Sequence, residues 1–190
     1  MGGRFRWQLL VAGLGIVLTL GLVASVAVSG ATEIVPAEGG TYTEAVVGHP
    51  KYLNPVFSHF NDVDDDLASL LFEGLTRLTP TGEIAPALAL DWTISPDGLR
   101  YTFTLRRDAR WHDGARVTAD DVVFTVQTLQ SPGYAGSPSV RELWRDVSVR
   151  KLDDDHVQFE LKAPFAPFLE YTTQGIIPQH LLAGVPPNAL

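Results

Sequence analysis

The strongest constraint on the fold is an alternation: in residues 100–106, Tyr101, Phe103 and Leu105 interleave with Arg100, Thr102 and Thr104. A period of two places one face of a strand on a core and the other toward solvent. Trp92 and Ile94 alternate in the same way upstream, and Ser95, Pro96, Asp97 and Gly98 between the two runs are turn formers, so the spacing predicts a β-hairpin. Trp111, His112, Asp113 and Gly114 make a second turn. Thr118 then stands three residues before Asp121, ahead of Val122, Val123, Phe124, Val126 and Leu129. That is a capping box, in which a hydroxyl and a carboxylate satisfy amides that a helix start leaves unpaired. Ser131, Pro132 and Gly133 end the helix.

The other elements rest on similar signals. Residues 41–47 read as the first strand, 75–79 as another, 80–83 as a turn and 84–90 as a short helix with Pro86 in its first turn. Asp62, Asp64, Asp65 and Asp66 precede Leu67, Leu70, Leu71 and Phe72, which reads as an amphipathic helix with carboxylates at its positive end. A calcium or magnesium site is the sharper alternative there, but the twelve-residue loop with its glycine and terminal glutamate is missing. Residues 131–139 read as a loop, 147–152 and 157–161 as a second hairpin turning on Asp153, Asp154 and Asp155, and 168–171 as a short helix.

The ordered set EGL, GEIAPALAxxW, SPDGLRYTFTLR, WHDG and TADDVVF, running from Glu73 to Phe124, resembles the extracellular solute-binding proteins of family 5. These are the oligopeptide, dipeptide and nickel receptors of ABC importers. The likeness extends more weakly to GGTYTEAVVGHPKYLNPVF upstream and to VRKLDDDHVQFELKAPFAPF and IIPQHLL downstream, covering most of residues 39–182. It implies an α/β protein, α+β in this stretch, with the class II periplasmic-binding-protein-like fold. On that likeness, residues 41–190 correspond to the first part of the N-terminal lobe, and an opposing lobe lies in further sequence.

The resemblance also directs attention to a ligand site. In peptide-binding relatives the loop after an LNP or LDP turn, here Leu53, Asn54 and Pro55, lines the cleft, which makes Ser58, His59, Phe60 and Asn61 candidate ligand contacts. An aromatic residue near 131–139 reaches the ligand in oligopeptide-binding relatives, so Tyr134 joins them. The competing reading is an exposed loop with a satisfied histidine, and a surface tyrosine in a flexible loop. The implied partners are a peptide or other small solute and the permease subunits of an ABC importer. No cofactor and no catalytic residue are implied. His112 and Asp113 are adjacent and seldom converge on one substrate atom, and His180 has no metal partners at useful spacing.

Composition bounds the rest. The 190 residues, 45% hydrophobic and 19% charged, suit one globular domain. Residues 9–28 are uncharged and long enough to cross a bilayer, with Arg4 and Arg6 before them and Glu33 after, an asymmetry that sends the rest of the chain outward. Residues 1–30 therefore read as a signal peptide or a retained anchor, both open, and 31–40 as a linker. Many relatives carry a lipidated cysteine after this segment. This chain has no cysteine, which excludes that attachment, disulfides and thiol catalysis. The formal charge of −8 becomes −10 without residues 1–30, which hold two arginines and no acid, and such acidity argues against nucleic acid as a partner. Two rivals stand beside the receptor: a membrane-anchored interaction module and an extracellular hydrolase using paired carboxylates.

Overall fold

The computed structural model describes residues 2–30 and 39–190, which divide into two units, Met1–Ala45 and Val46–Leu190. The expected linker at 31–40 lies largely outside the described residues. In the first unit α1 spans Gly2–Gly30, and Val11, Leu14, Ile16, Val17, Leu18, Leu20, Leu22 and Val23 are all exposed on it. Among the described residues no helix is long and apolar enough to cross a membrane.

The strand expected at 41–47, a segment that straddles the boundary between the units, does not form. Among the described residues no ladder partner meets that segment, and Val47 is 99% exposed. Asp62–Leu71 forms α2, as its pattern predicts. Its start is organised by Asn61, whose side-chain oxygen accepts the Asp64 N–H at 3.0 Å. Asp64 is fully buried, and its carboxylate accepts from Lys51 N–H at 2.7 Å, Tyr52 N–H at 3.1 Å and the Asn61 amide at 2.6 Å. Burial pushes the Asp64 carboxyl up, but these donors outweigh it and hold the group below its ordinary value. An aspartate read as a helix-end charge thus anchors the segment ahead of the helix.

β1 (Thr76–Leu78) and β2 (Ile84–Pro86) pair antiparallel, so the short helix expected over 84–90 is instead a strand, a turn and the start of β3 (Ala89–Ile94). Tertiary pairing overrides the helix preference of the Ala and Leu residues. Thr79 N–H donates to Glu83 C=O at 2.8 Å and Ala87 N–H to Leu75 C=O at 3.2 Å. Counting in twos between these bonds puts Pro86, opposite Thr76, at a position where the ladder asks for no donor.

β3 and β4 (Arg100–Leu105) form the predicted hairpin, with Gly98 at φ +70° in the turn. Ala119–Gln130 is α3, with the predicted capping box: Asp121 accepts the Thr118 N–H at 2.9 Å. Residues 131–139 are not all loop, because Pro138 starts α4 (Pro138–Trp144). β5 (Val147–Lys151) and β6 (His156–Leu161) make the second hairpin, followed by α5 (Phe168–Tyr171) and α6 (Gln179–Leu182).

The four-stranded sheet is wholly antiparallel in the order β3-β4-β6-β5, so β6 inserts beside β4. Its register sets Phe103 opposite Val157 and Tyr101 opposite Phe159. Those side chains form the core with Trp144 and Phe168; the Phe103 and Phe159 rings meet edge to face at 5.6 Å, and the Tyr101 and Phe168 rings lie tilted at 4.7 Å. Trp92 packs on Phe103 and Trp111 on Phe72, so both serve as core cover, as their place beside the hairpin predicts.

The segment after α5 runs against β1, where Thr76 N–H donates to Thr172 C=O at 3.2 Å and the two threonine hydroxyls lie 2.8 Å apart. Gly74 permits that approach: a Cβ there would lie 2.5 Å from the Thr173 carbonyl, backbone that has nowhere to go. Gly74→Ala is expected to destabilise the second unit by about 1–3 kcal/mol, the usual cost of overpacking, read as a lower thermal midpoint. An unchanged midpoint would show that the two segments separate freely.

Candidate functional site

The short 3-10 turn Ser58–Phe60, the face of α2, the edge of β1 and residues 170–175 surround an open groove of about 650 Å³. Ser58 and His59 line it, together with Asp65, Phe72, Trp144 and Gln174. Two of the five residues singled out in the sequence are therefore brought to one cavity, and the irregular loop expected there is a helical turn leading into α2.

A chain of hydrogen bonds fixes the turn. The Ser58 hydroxyl, buried, donates to Asp65 Oδ1 at 2.7 Å, and His59 Nδ1 lies 3.1 Å from that same oxygen. On the other side His59 Nε2 lies 3.4 Å from Gln174 Oε1, while the Gln174 amide donates to Pro55 C=O at 3.0 Å. His59 and Ser58 thus both address Asp65, and no bond joins them to each other. An arrangement of this kind positions a loop, but does not put a base on the serine proton.

The other three residues have different surroundings. Phe60 is 53% exposed, with its ring 6.4 Å from that of Tyr52. Asn61 caps α2 through the bonds given above. Tyr134 is not on the surface: it is 5% exposed, its ring stacks on Phe57 at 5.5 Å, and its hydroxyl donates to Val56 C=O at 2.7 Å. Burial pushes its phenol up. Tyr134 therefore buttresses the turn that carries Ser58 and His59. Asp65, Glu170 and Gln174 were missed as groove residues. Asp65 looks like one more helix-start carboxylate, and Gln174 meets His59 across 115 residues with no local signal.

Asp113, set aside as a partner for adjacent His112, pairs with distant His180: the His180 Nε2 to Asp113 Oδ2 distance is 2.7 Å. The His180 hydrogen bond, with a second from Ala115 N–H, holds the Asp113 carboxyl below its ordinary value. Both side chains are about a third exposed or more, and the pair ties the Trp111–Gly114 turn to α6.

Residues 83–181 match the family model described as "Bacterial extracellular solute-binding proteins, family 5 Middle", more than half of the chain. The chain belongs to this family. It is 31% identical over 154 residues to oligopeptide-binding protein AppA of Bacillus subtilis, covering 80% of this chain and 28% of AppA. It is 34% identical over 139 residues to a dipeptide-binding protein of Escherichia coli, covering 64% of this chain and 26% of that protein. Among solved structures it superposes on NikZ of Campylobacter jejuni in complex with Ni(L-His) with a TM-score of 0.68 and 34% identity, over 75% of this chain and 28% of NikZ. On AppA in complex with a nonapeptide the TM-score is 0.69 at 29% identity, over 75% of this chain and 28% of AppA. This family 5 chain thus spans between about a fifth and a third of the length of the relatives it matches.

Tyr134→Phe is expected to keep the ring stack and leave Val56 C=O unpaired, costing about 1–3 kcal/mol in denaturant titration. No change in midpoint would mean that the hydroxyl is not what holds the turn. In His180→Ala the Asp113 carboxyl is expected to titrate at higher pH by carbon NMR. Because its folded value lies below the unfolded one, its contribution to stability is complete above the ordinary aspartate range and is lost as pH falls through the folded value. An unmoved titration in the variant would assign the effect to Ala115 N–H alone.

Proposed function

We propose that this chain serves in the substrate-binding component of an ABC importer, capturing a peptide or related small solute outside the membrane and delivering it to permease subunits. The observation that carries the reading is the coincidence of two independent indications. The turn after Leu53, Asn54 and Pro55, expected from the sequence to face a ligand, does border a groove wide enough for a small organic solute. Solutes in structures of family members support the class, a nonapeptide in AppA and Ni(L-His) in NikZ. His59 and Phe60 contribute contacts from the exposed side of the turn, with Ser58, Asn61 and Tyr134 fixing their backbone. No residue makes or breaks a covalent bond, and transport is driven by other subunits.

Export fits the same proposal. The N-terminal segment joins Arg4 and Arg6 to an uncharged stretch at 9–28, the charge order that leaves the remainder of the chain outside. Exposed apolar side chains on many sides of α1 suit a hydrocarbon surrounding better than water. We therefore place the second unit on the outer face, held at the membrane by α1 unless that segment is cleaved.

Mass spectrometry of small molecules retained by the chain purified in detergent micelles is expected to find a peptide-like solute. Replacing His59, Phe60 and Asn61 together by alanine is expected to weaken binding of that solute by about tenfold, the scale of one or two lost polar contacts. A chain that retains no solute would overturn the receptor reading, and unchanged affinity in the triple variant would remove this turn from the site.

A further inference from the structure

A second cavity, of about 290 Å³, opens beside the end of α2 and holds an unmet donor. Arg106 Nε is buried and has no hydrogen-bond partner. The acids nearest the Arg106 guanidinium are too far away to supply one: Glu73 Oε2 lies 3.7 Å from a terminal nitrogen, and Asp108 Oδ1 lies 3.9 Å from Nε. Both attend the charge without accepting the Nε–H. A buried donor without an acceptor costs free energy, so its persistence calls for an explanation.

The rest of the cavity says what kind of acceptor fits. Arg110 lines it, held in place by bonds from one terminal nitrogen to Arg107 C=O and Ala109 C=O, both at 3.0 Å. His112 borders it as well, leaving Glu73 as the one acid among the residues that line it. Phe72, Leu88, Val117 and Ile176 supply an apolar wall. Among the lining side chains two guanidinium groups stand against one carboxylate, and Asp108, 86% exposed, meets the Arg106 charge from solvent; a planar carboxylate is the anion whose geometry matches the guanidinium fork. The volume is many times the ~30 Å³ share of a single water, and the wall favours an anion with a hydrocarbon body over an inorganic one.

We propose that this cavity binds a carboxylate carried on a short branched or aromatic hydrocarbon, with Arg106 Nε donating to one carboxylate oxygen and Arg110 neutralising the other. A free branched-chain acid and the C-terminal residue of a peptide both offer that chemistry. The cavity shares Ser69, Phe72 and Glu73 with the groove beside the Ser58–Phe60 turn, but neither Ser58 nor His59 lines it, and its occupancy does not depend on the transport reading.

The test uses the whole chain, nitrogen-15 labelled, in detergent micelles, following the Arg106 Nε–H and Trp111 indole resonances. Isovalerate is expected to move both saturably, isovaleramide and sulfate to move neither, and Arg110→Gln and Arg106→Lys each to weaken isovalerate by about tenfold. Comparing Leu-Leu with its C-terminal amide separates the two sources: loss of binding only on amidation assigns the peptide terminus, and binding of isovalerate alone assigns a free acid. Equal binding of isovalerate and isovaleramide, or no saturable movement with isovalerate and Leu-Leu alike, would overturn the proposal. Arg110 is exposed, so its variant reports on the site even if Arg106→Lys fails to fold. Retention of a peptide with no response at Arg106 would leave the receptor reading intact while removing this one.

Discussion

The second unit depends on one helix turn reaching across the chain. Asp121, 3% exposed, gives one carboxylate oxygen to Thr118 N–H at 2.9 Å and to the Trp111 indole at 3.3 Å, and the other to Gln179 N–H at 2.8 Å. One turn on, the Thr125 hydroxyl donates to Asp121 C=O at 2.7 Å and accepts the Ile177 N–H at 3.0 Å. Burying a carboxylate is costly unless donors replace the lost water, and here backbone and indole do so. The consequence is positional: with Ile177 and Gln179 fixed, residues 170–175 are brought against β1 and Gln174 against His59. The groove exists because α3 holds the returning chain.

What could be read in the sequence divides along the same line. The β3–β4 hairpin, the α3 cap, the second hairpin and the short α5 rest on residues within a few positions of one another, and they stand where local chemistry puts them. The helix expected at 84–90 failed because Ala and Leu preference is worth tenths of a kcal/mol per residue, less than a ladder to β1 supplies. The strand expected at 41–47 failed for the reverse reason: a strand needs a partner, and among the described residues none meets it. Asp121 shows both cases in one residue. Its capping role is written three residues away, but its bond to Gln179 spans 58 residues and leaves no mark in the local pattern.

The candidate site was legible as a place more than as a set of contacts. The turn after Pro55 was located, but the roles within it were not. Ser58 is turned inward to Asp65, Asn61 is a helix cap, and Tyr134 is a buried support. Asp65 and Gln174, which complete the groove's hydrogen bonding, come from an acidic run that looks like helix decoration and from a segment of no evident pattern. Sites on loops held by distant elements are generally of this kind, because the loop sequence carries the contacts and the scaffold carries the geometry.

That division bears on what family membership constrains. The motif residues that carry the likeness are engaged in folding: Trp111 with Asp121, Asp113 with Ala115 and His180, Thr118 with Asp121, and Tyr101 and Phe103 in the core. Side chains so occupied have little capacity left to discriminate a solute. The same scaffold can therefore recur in a structure holding a nonapeptide and in one holding Ni(L-His) without contradiction. Selectivity then falls to side chains that the fold does not need. In this chain the hydrogen bonds of Asp121, Asp64 and Thr125 hold the backbone independently of such side chains.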